Sequence, residues 1–551
     1  MKSNNTIIYI FLLLGLFSCE PKAPGLKPVE RDSRPNILFI MLDDLGYSDL
    51  GCFGGEIPTP NIDTIAATGV RYSGFRVAPI GGATRAMLMT GNDNHISGHG
   101  RVLNPLHEAY RGLPGYEYEF SKQVLSFPYL LQESGYYTCI AGKWHLGTKT
   151  QSNPKQQGFE DSWVLLEEAS NQYNNVGLGL YGTDTISHFL SNGLPAPYPE
   201  GTFSTDFYTD QTISYLNANA KESRPFFAMV SYTAPHWPLQ PPLEYLNKYK
   251  GYYDGGYDVL RTKRFQGLQE KGIIPANQTL PLAMNTFKRW FNLFFEEQQR
   301  EAREMELYAA TVNHLDDNIG RLITTLKETG LYDNTIIIVT SDNGAGPENI
   351  FEHPILGGYI RKQYDNSLKN MGFMNSFVSY GNGWAQASMA PFNGYKGQAY
   401  EGGLASPLIV SGGFAQQAGS VKHEHFTILD LSSTFLEIAG ITYPQEHKGV
   451  ALAPLKGKSL LPYWKGEQNQ PHTADEVFTL EHRGQAYVRK GNWKLVNPGG
   501  AHDSNRFLLF DLSRDPGERQ DLSFQNPQKK AELLAEWEKY KMEVGIQFVE
   551  Q

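Results

Sequence analysis

The sequence predicts an α/β fold: a large mixed, mostly parallel sheet sandwiched by helices, with a smaller antiparallel-sheet subdomain at the C-terminal end. Three observations predict it. Short, continuous apolar runs recur along the chain, the pattern of parallel strands covered on both faces. Four of these runs end in clusters of polar residues, and ligands bind beyond the carboxyl ends of strands in open α/β sheets. From about residue 460 the texture changes to short alternating strands with Gly and Asp-Pro turns between them, which reads as an antiparallel sheet.

The elements follow in order. Residues 36–42, Asn-Ile-Leu-Phe-Ile-Met-Leu, form the first run and end at Asp43-Asp44. Residues 84–91 read as the start of a helix whose N-terminal turn holds an anion, preceded by Gly81 and Gly82. Residues 137–141 are the second run, ending in Gly142-Lys143-Trp144-His145, and residues 226–232 the third, ending in Ala234-Pro235-His236. Met305, Tyr308, Val312, Leu315, Ile319, Leu322 and Leu326 step by three and four, the stripe of a long amphipathic helix that Gly330 stops. The fourth run, residues 335–340, ends in Ser341-Asp342-Asn343-Gly344. The loops at 177–201 and 251–290 are expected to line the mouth of a site at these strand ends. Residues 485–490, 493–496 and 507–512 are the C-terminal strands, and a charged amphipathic helix over 526–544 closes them.

A chain of 551 residues holds one large domain, placed at 35–460, and a smaller one at 461–551. A net charge of −10 excludes nucleic acid as a partner, because no basic excess exists to release counterions. It does not exclude a small anion, which needs only a local positive pocket. Lys2 and the apolar run 7–17 have the order of a secretory signal and are too short to span a bilayer. Leu16-Phe17-Ser18-Cys19 resembles the bacterial lipobox. That implies a signal peptide over 1–18, lipidation of Cys19, a Pro-rich tether to residue 34, and anchoring in the cell envelope, at the outer membrane or in the periplasm. Cys52 and Cys139 remain, and their spacing leaves one disulfide or two free thiols open.

Asp43-Asp44 sets two like charges on one turn, which costs stability unless a cation sits between them. Asp342 and Asn343 supply two more oxygens. Alone, each pair reads as a turn or helix cap; together, three carboxylates and an amide suit Ca²⁺ or, less well, Mg²⁺. No sulfur or imidazole in that set recommends zinc. Arg85, Lys143, His145, His236 and Lys396 are the cationic set: Arg85 fits an oxyanion bidentately and the lysines act as point charges.

On these residues the chain resembles the type I, formylglycine-dependent sulfatases of the alkaline-phosphatase-like superfamily, most of all bacterial aryl- and alkylsulfatases. The matching stretches are 43–46, 84–91, 142–147, 235–238, 341–344, Lys396 with 401–403, and in the tail 491–495 and 509–516; they span roughly residues 35 to 545, in order. The resemblance implies hydrolysis of aryl, alkyl or carbohydrate sulfates, with Asp43, Asp44, Asp342 and Asn343 binding Ca²⁺. It implies that Arg85 steadies the nucleophile and that Lys143 and Lys396 hold sulfate oxygens. His236, with Lys396, assists departure of the alcohol, and His145 takes a proton when the sulfated hemiacetal collapses.

One position departs from the pattern. The family motif is Cys (or Ser)-x-Pro-x-Arg, and its first residue is oxidised to formylglycine, whose hydrate attacks sulfur. Four residues before Arg85 stands Gly81, and Ala83 occupies the proline position. Glycine has no side chain to oxidise, so no formylglycine forms there. Thr84 is a hydroxyl, but three residues away from the nucleophile position. Two readings follow: a sulfuric ester hydrolase by resemblance, or a pseudo-sulfatase that binds sulfated small molecules or polysaccharide. A phosphatase on the same fold requires two zinc sites with histidines, which the oxygen-only set opposes.

Overall fold

The computed structural model describes residues 32–549 apart from 102–108, 111, 178–185, 223, 355 and 414–416. The signal peptide, Cys19 and nearly all of the tether lie outside the described residues. The main sheet has ten strands: β1 Asn36–Leu42, β2 Gly69–Tyr72, β3 Tyr137–Lys143, β4 Asp161–Leu165, β5 Phe189–Ser191, β6 Leu194–Ala196, β7 Phe226–Ser231, β8 Thr335–Ser341, β9 Leu408–Ser411 and β10 Val421–Lys422. Their spatial order is β10-β2-β9-β8-β1-β7-β3-β4-β5-β6. The centre, β8-β1-β7-β3-β4, is parallel throughout. β9 joins antiparallel to β8, and β5 and β6 close the other edge as antiparallel strands.

β1 explains why both faces are covered. Every residue of it is buried, and successive side chains alternate between faces. Leu38, Ile40 and Leu42 enter one core with α1 Pro60–Thr68, α4 Ser204–Asn219, α5 Gly256–Glu270 and α6 Phe295–Glu328. Ile37, Phe39 and Met41 enter the other with α2 Gly81–Thr90, α3 Phe127–Glu133 and α7 Ile428–Ile438. The helix expected before β8 is α6, longer than its apolar stripe at the N-terminal end, and Gly330 ends it in the left-handed region (φ +69°). Cys52 and Cys139 are two free, buried thiols.

The C-terminal sheet has four strands, β11 Val477–His482, β12 Gln485–Lys490, β13 Trp493–Asn497 and β14 Leu508–Asp511, in sequential antiparallel order. β11 was not among the expected strands. α8 Pro527–Val544 lies on this sheet, where Leu533 and Trp537 pack on Val488 and Leu495. The other face merges with the main core, since Leu460, Leu461, Leu480, Tyr487 and Val496 share a cluster with β1 residues.

Polar ties lock the same junction. His95, just past α2, contacts Asp93 Oδ1 at 3.1 Å and Glu481 Oε2 of β11 at 2.8 Å, and Tyr540 of α8 donates to Asp93 Oδ2 at 2.8 Å. Burial opposes charge on His95, but the hydrogen bonds to Asp93 and Glu481 outweigh it and raise its pKa to about 9. Stability from the charged ring is therefore complete below about pH 6.5 and is lost as pH climbs through about 9. The melting temperature is expected to fall more steeply over that interval in wild type than in His95→Gln. Equal slopes in the two proteins contradict the assignment.

Candidate functional site

The register of the central strands makes their carboxyl ends level. Leu42 pairs with Ser341, Met41 with Ser231, and Ser231 with Gly142. The residues just beyond, Asp43-Asp44, Lys143, His236 and Asp342-Asn343, consequently meet at one place, joined by Arg85 from α2 and Lys396 from the loop before β9. None of these eight is more than 6% exposed.

Like charges at the strand ends are held apart by cations threaded between them. Lys143 Nζ lies 2.6 Å from Asp43 Oδ2. Arg85 gives Nε and Nη2 to Asp342 Oδ2 at 3.2 and 2.9 Å, and Nη2 also reaches Asp43 Oδ2 at 3.5 Å. Its remaining arm, Nη1, donates to the Lys143 carbonyl at 3.0 Å and to Ser231 Oγ. Arg85 thus spends its fork on the metal-ligand candidates and the frame, which fits a steadying role. Lys396 donates to Asp44 Oδ2 at 2.9 Å, and Asn343 Nδ2 donates to Asp44 Oδ1 at 2.6 Å. Burial raises the Asp43 carboxyl to about 6, with Asp342 adding to the rise and Lys143 and Arg85 opposing it. The chain is strained here: Asp44 (φ +63°) and His145 (φ +57°) are non-glycine residues in the left-handed region, at about 1–3 kcal/mol each.

Several buried polar atoms have no hydrogen-bond partner, in an arrangement that suits a cation. Asp43 Oδ1 and Asn343 Oδ1 are buried acceptors that no donor reaches. His236 Nδ1 lies 2.7 Å from the Trp237 carbonyl, which only accepts, so Nδ1 carries the proton. Burial, with Lys396 and Lys143 nearby, holds its pKa well below the ordinary value, so Nε2 presents a lone pair 3.5 Å from Asp44 Oδ2. Two lone pairs face one another, an arrangement that a shared cation relieves. The carboxylates of Asp43 and Asp44 and the ring of His236 offer ligand atoms within 4.8 Å of each other. Sequence reasoning placed Asp342 and Asn343 in that set and His236 outside it. The structure brings all five together, with Asp342 Oδ2 engaged by Arg85 and Asp342 Oδ1 accepting from Asp44 N at 3.3 Å.

His145 has both ring nitrogens buried and unpartnered. Burial lowers its pKa well below the ordinary value, with Lys143, Arg85 and Lys396 adding to the shift, so it is a neutral base. Gly81 opens α2 directly against Asp342: a Cβ built there would lie 2.2 Å from Asp342 Oδ2 and 3.3 Å from Asn343 Oδ1. Thr84 is used elsewhere, since its hydroxyl accepts from Ala78 N at 2.9 Å and lies 3.2 Å from the Ala78 carbonyl. That closes the turn leading into α2. Of the two loops expected at the mouth, 251–290 abuts the Lys396 loop: Thr286 Oγ1 is 3.1 Å from Tyr395 Oη, and Gly394 N meets Met284 Sδ at 3.1 Å. The described part of the other forms β5 and β6 at the sheet edge and reaches back through Ser187 to Ala169.

Sequence reasoning missed Ser231, Glu168 and Glu348. Ser231 is the polar end of an otherwise apolar strand, which was a usable signal. The two glutamates sit in loops whose paths only the fold reveals.

The chain matches the family described as Sulfatase over residues 35–441, and N-sulphoglucosamine sulphohydrolase, C-terminal, over 395–543. It is 37% identical over 532 residues to an uncharacterized sulfatase of Schizosaccharomyces pombe, covering 93% of this chain and 94% of that protein. It is 35% identical over 432 residues to an arylsulfatase of Klebsiella aerogenes, covering 78% of this chain and 92% of that one. Among solved structures it resembles Ps i-CgsB in complex with k-i-k-neocarrahexaose, with a TM-score of 0.64, 24% identity and 92% of each chain covered, a likeness of fold. Family match, fold and the convergence of acids, lysines and histidines at four strand ends agree, and the chain belongs to the sulfatase family.

Proposed function

We propose that this protein binds organic sulfate esters in the pocket between Lys143, Lys396, His145 and His236, with Ca²⁺ held by Asp43, Asp44, Asp342 and Asn343. We propose further that it leaves the bound ester intact. The observation that carries the reading is the placement of Gly81: the start of α2 reaches the ligand cluster, and no nucleophilic side chain stands there. Sulfate-ester chemistry is supported by the family and by the arylsulfatase of Klebsiella aerogenes. Calcium is favoured because four of the gathered residues offer oxygen and three of them are carboxylates.

The charges explain how the pocket takes an anion. Lys143 and Lys396 are paired with Asp43 and Asp44, and a cation sharing those carboxylates releases both ammonium groups toward sulfate oxygens. On this reading His145, neutral and unpartnered on both ring nitrogens, faces the ester oxygen. The lipobox at Cys19 supports an exported, lipid-anchored protein of the bacterial cell envelope.

Calorimetric titration with phenyl sulfate tests the reading. Binding is expected with calcium present, and each of Lys143→Met and Lys396→Met is expected to weaken it by at least roughly tenfold, the worth of one hydrogen bond between charged groups. Unchanged affinity in both variants refutes the pocket. Calcium itself is expected to raise the melting temperature, by mass action on the folded state, with about 2.7 kcal/mol gained at a hundredfold excess over Kd. Asp342→Ala is expected to abolish that increment, and an undiminished increment contradicts the ligand set.

A further inference from the structure

Two carboxylates outside the set described so far stand beside Lys396. Glu348 Oε1 lies 3.6 Å and Glu168 Oε1 3.8 Å from Lys396 Nζ. Their placement is built rather than incidental. Ala169 and Ile350, near them in the chain, pack with Trp237 and Phe377 in one buried apolar cluster, and Trp237 adjoins His236. Gly346 keeps a gap between acids: a Cβ there would lie 2.4 Å from Asp44 Oδ2 and 2.9 Å from Glu348 Oε2. Glu348 Oε2 is buried and has no hydrogen-bond partner, an acceptor waiting for a donor. At the other end of the pocket His145, 1% exposed, is likewise unpartnered on both nitrogens.

The charge balance gives these acids a purpose. Arg85, Lys143 and Lys396 match Asp43, Asp44 and Asp342, so a divalent cation creates the positive surplus that draws one sulfate inward. Glu168 and Glu348, each about a quarter exposed beside the buried Lys396, offset part of that surplus toward the surface. A sulfate deep in the pocket is compensated there, whereas a second sulfate on the alcohol part meets two carboxylates in a half-buried setting where repulsion is poorly screened. Hydroxyl or ammonium groups in the same place find acceptors.

We propose that Glu168 and Glu348 are specificity residues for the alcohol part of the ester, selecting monosulfated compounds that carry hydroxyl or ammonium groups and rejecting polysulfated ones. The proposal rests on the sulfate-ester reading above. Its test compares D-glucosamine 6-sulfate with D-glucosamine 2-N,6-O-disulfate, which differ by an ammonium against a second sulfate, with phenyl sulfate as reference, all by calorimetry in excess calcium. The monosulfate is expected to bind at least roughly tenfold more tightly than the disulfate. The double variant E168Q/E348Q is expected to narrow that ratio to about threefold or less. The single variants, each isosteric, give the same reading in smaller measure and serve if the double variant does not fold. Equal affinities in wild type, or a ratio unchanged in the variants, overturn the proposal. Binding of phenyl sulfate without binding of either glucosamine ester overturns it too, and leaves the sulfate-ester reading standing. Failure of all three to bind overturns both.

Discussion

A Gly81→Cys chain whose new cysteine has been oxidised to the aldehyde is expected to hydrolyse sulfate esters roughly a millionfold faster than the chain as it stands. Removing the covalent nucleophile of a serine hydrolase costs about that much turnover, leaving what binding and electrostatics supply. Near residue 81 stand two histidines that burial keeps neutral, two lysines paired with Asp43 and Asp44, and Arg85 clamped on Asp342. Thr84 closes a turn and the buried thiols of Cys52 and Cys139 lie beside Asp63 and Asp161, so none of these three stands in for the nucleophile. The substitution makes a demand on its surroundings. The new Cβ takes the space of Asp342 Oδ2, so that carboxylate must turn to make room for it. Ala83 stands at the proline position of the maturation motif, so the aldehyde has to be confirmed by mass before activity is read. Aldehyde-bearing protein that fails on aryl, alkyl and sugar sulfates alike would show that the pocket differs in more than its nucleophile.

Lys494→Met is expected to cost about 3–5 kcal/mol of stability, the usual penalty for removing one partner of a buried ion pair. Lys494 of β13 is fully buried, with its ammonium 2.7 Å from Glu401 Oε1 and 2.8 Å from Glu518 Oε1. Glu401 in turn is held by Arg76 at 2.7 Å, and these cations overcome burial to keep its carboxyl well below the ordinary range. Methionine preserves the stem and the packing but leaves Glu401 with Arg76 and the more distant Arg489, and takes from Glu518 its ion pair with Lys494. The midpoint of urea unfolding measures the effect, and an unchanged midpoint shows that the C-terminal sheet is not secured this way. Glu401 lies only five residues from Lys396, so loosening this junction is also expected to weaken ester binding.

Four of the central strands, β1, β3, β7 and β8, and their polar ends were legible in the sequence because burial on both faces leaves an unbroken apolar run bounded by turn residues, whereas β4 opens on Asp161-Ser162 and was not. α6 was legible from its stripe. β9, β2 and β11 were not. Leu-Ile-Val-Ser at 408–411 is too short to separate strand from loop, and β2, next to a sheet edge, and β11, on one, mix polar with apolar residues where pairing, not pattern, decides. The acids and cations of the pocket were legible one by one, each at a strand end. Their mutual arrangement was not, because Arg85 turns its fork to Asp342, and His236 faces Asp44, only once the register of β1, β7 and β8 is set. Glu168 and Glu348 stand in loops placed by Trp237, a contact without any local signature.

On the proposed reading the protein holds a sulfate ester that it does not cleave. Incubating a limiting amount of phenyl sulfate with excess unmodified protein and calcium, then recovering ester and free inorganic sulfate separately, tests it most directly. The account predicts that the ester is retained by the protein and recovered intact, with sulfate at the level of a protein-free control. Stoichiometric release of sulfate and phenol by the Gly81 chain would contradict it and require a nucleophile other than residue 81.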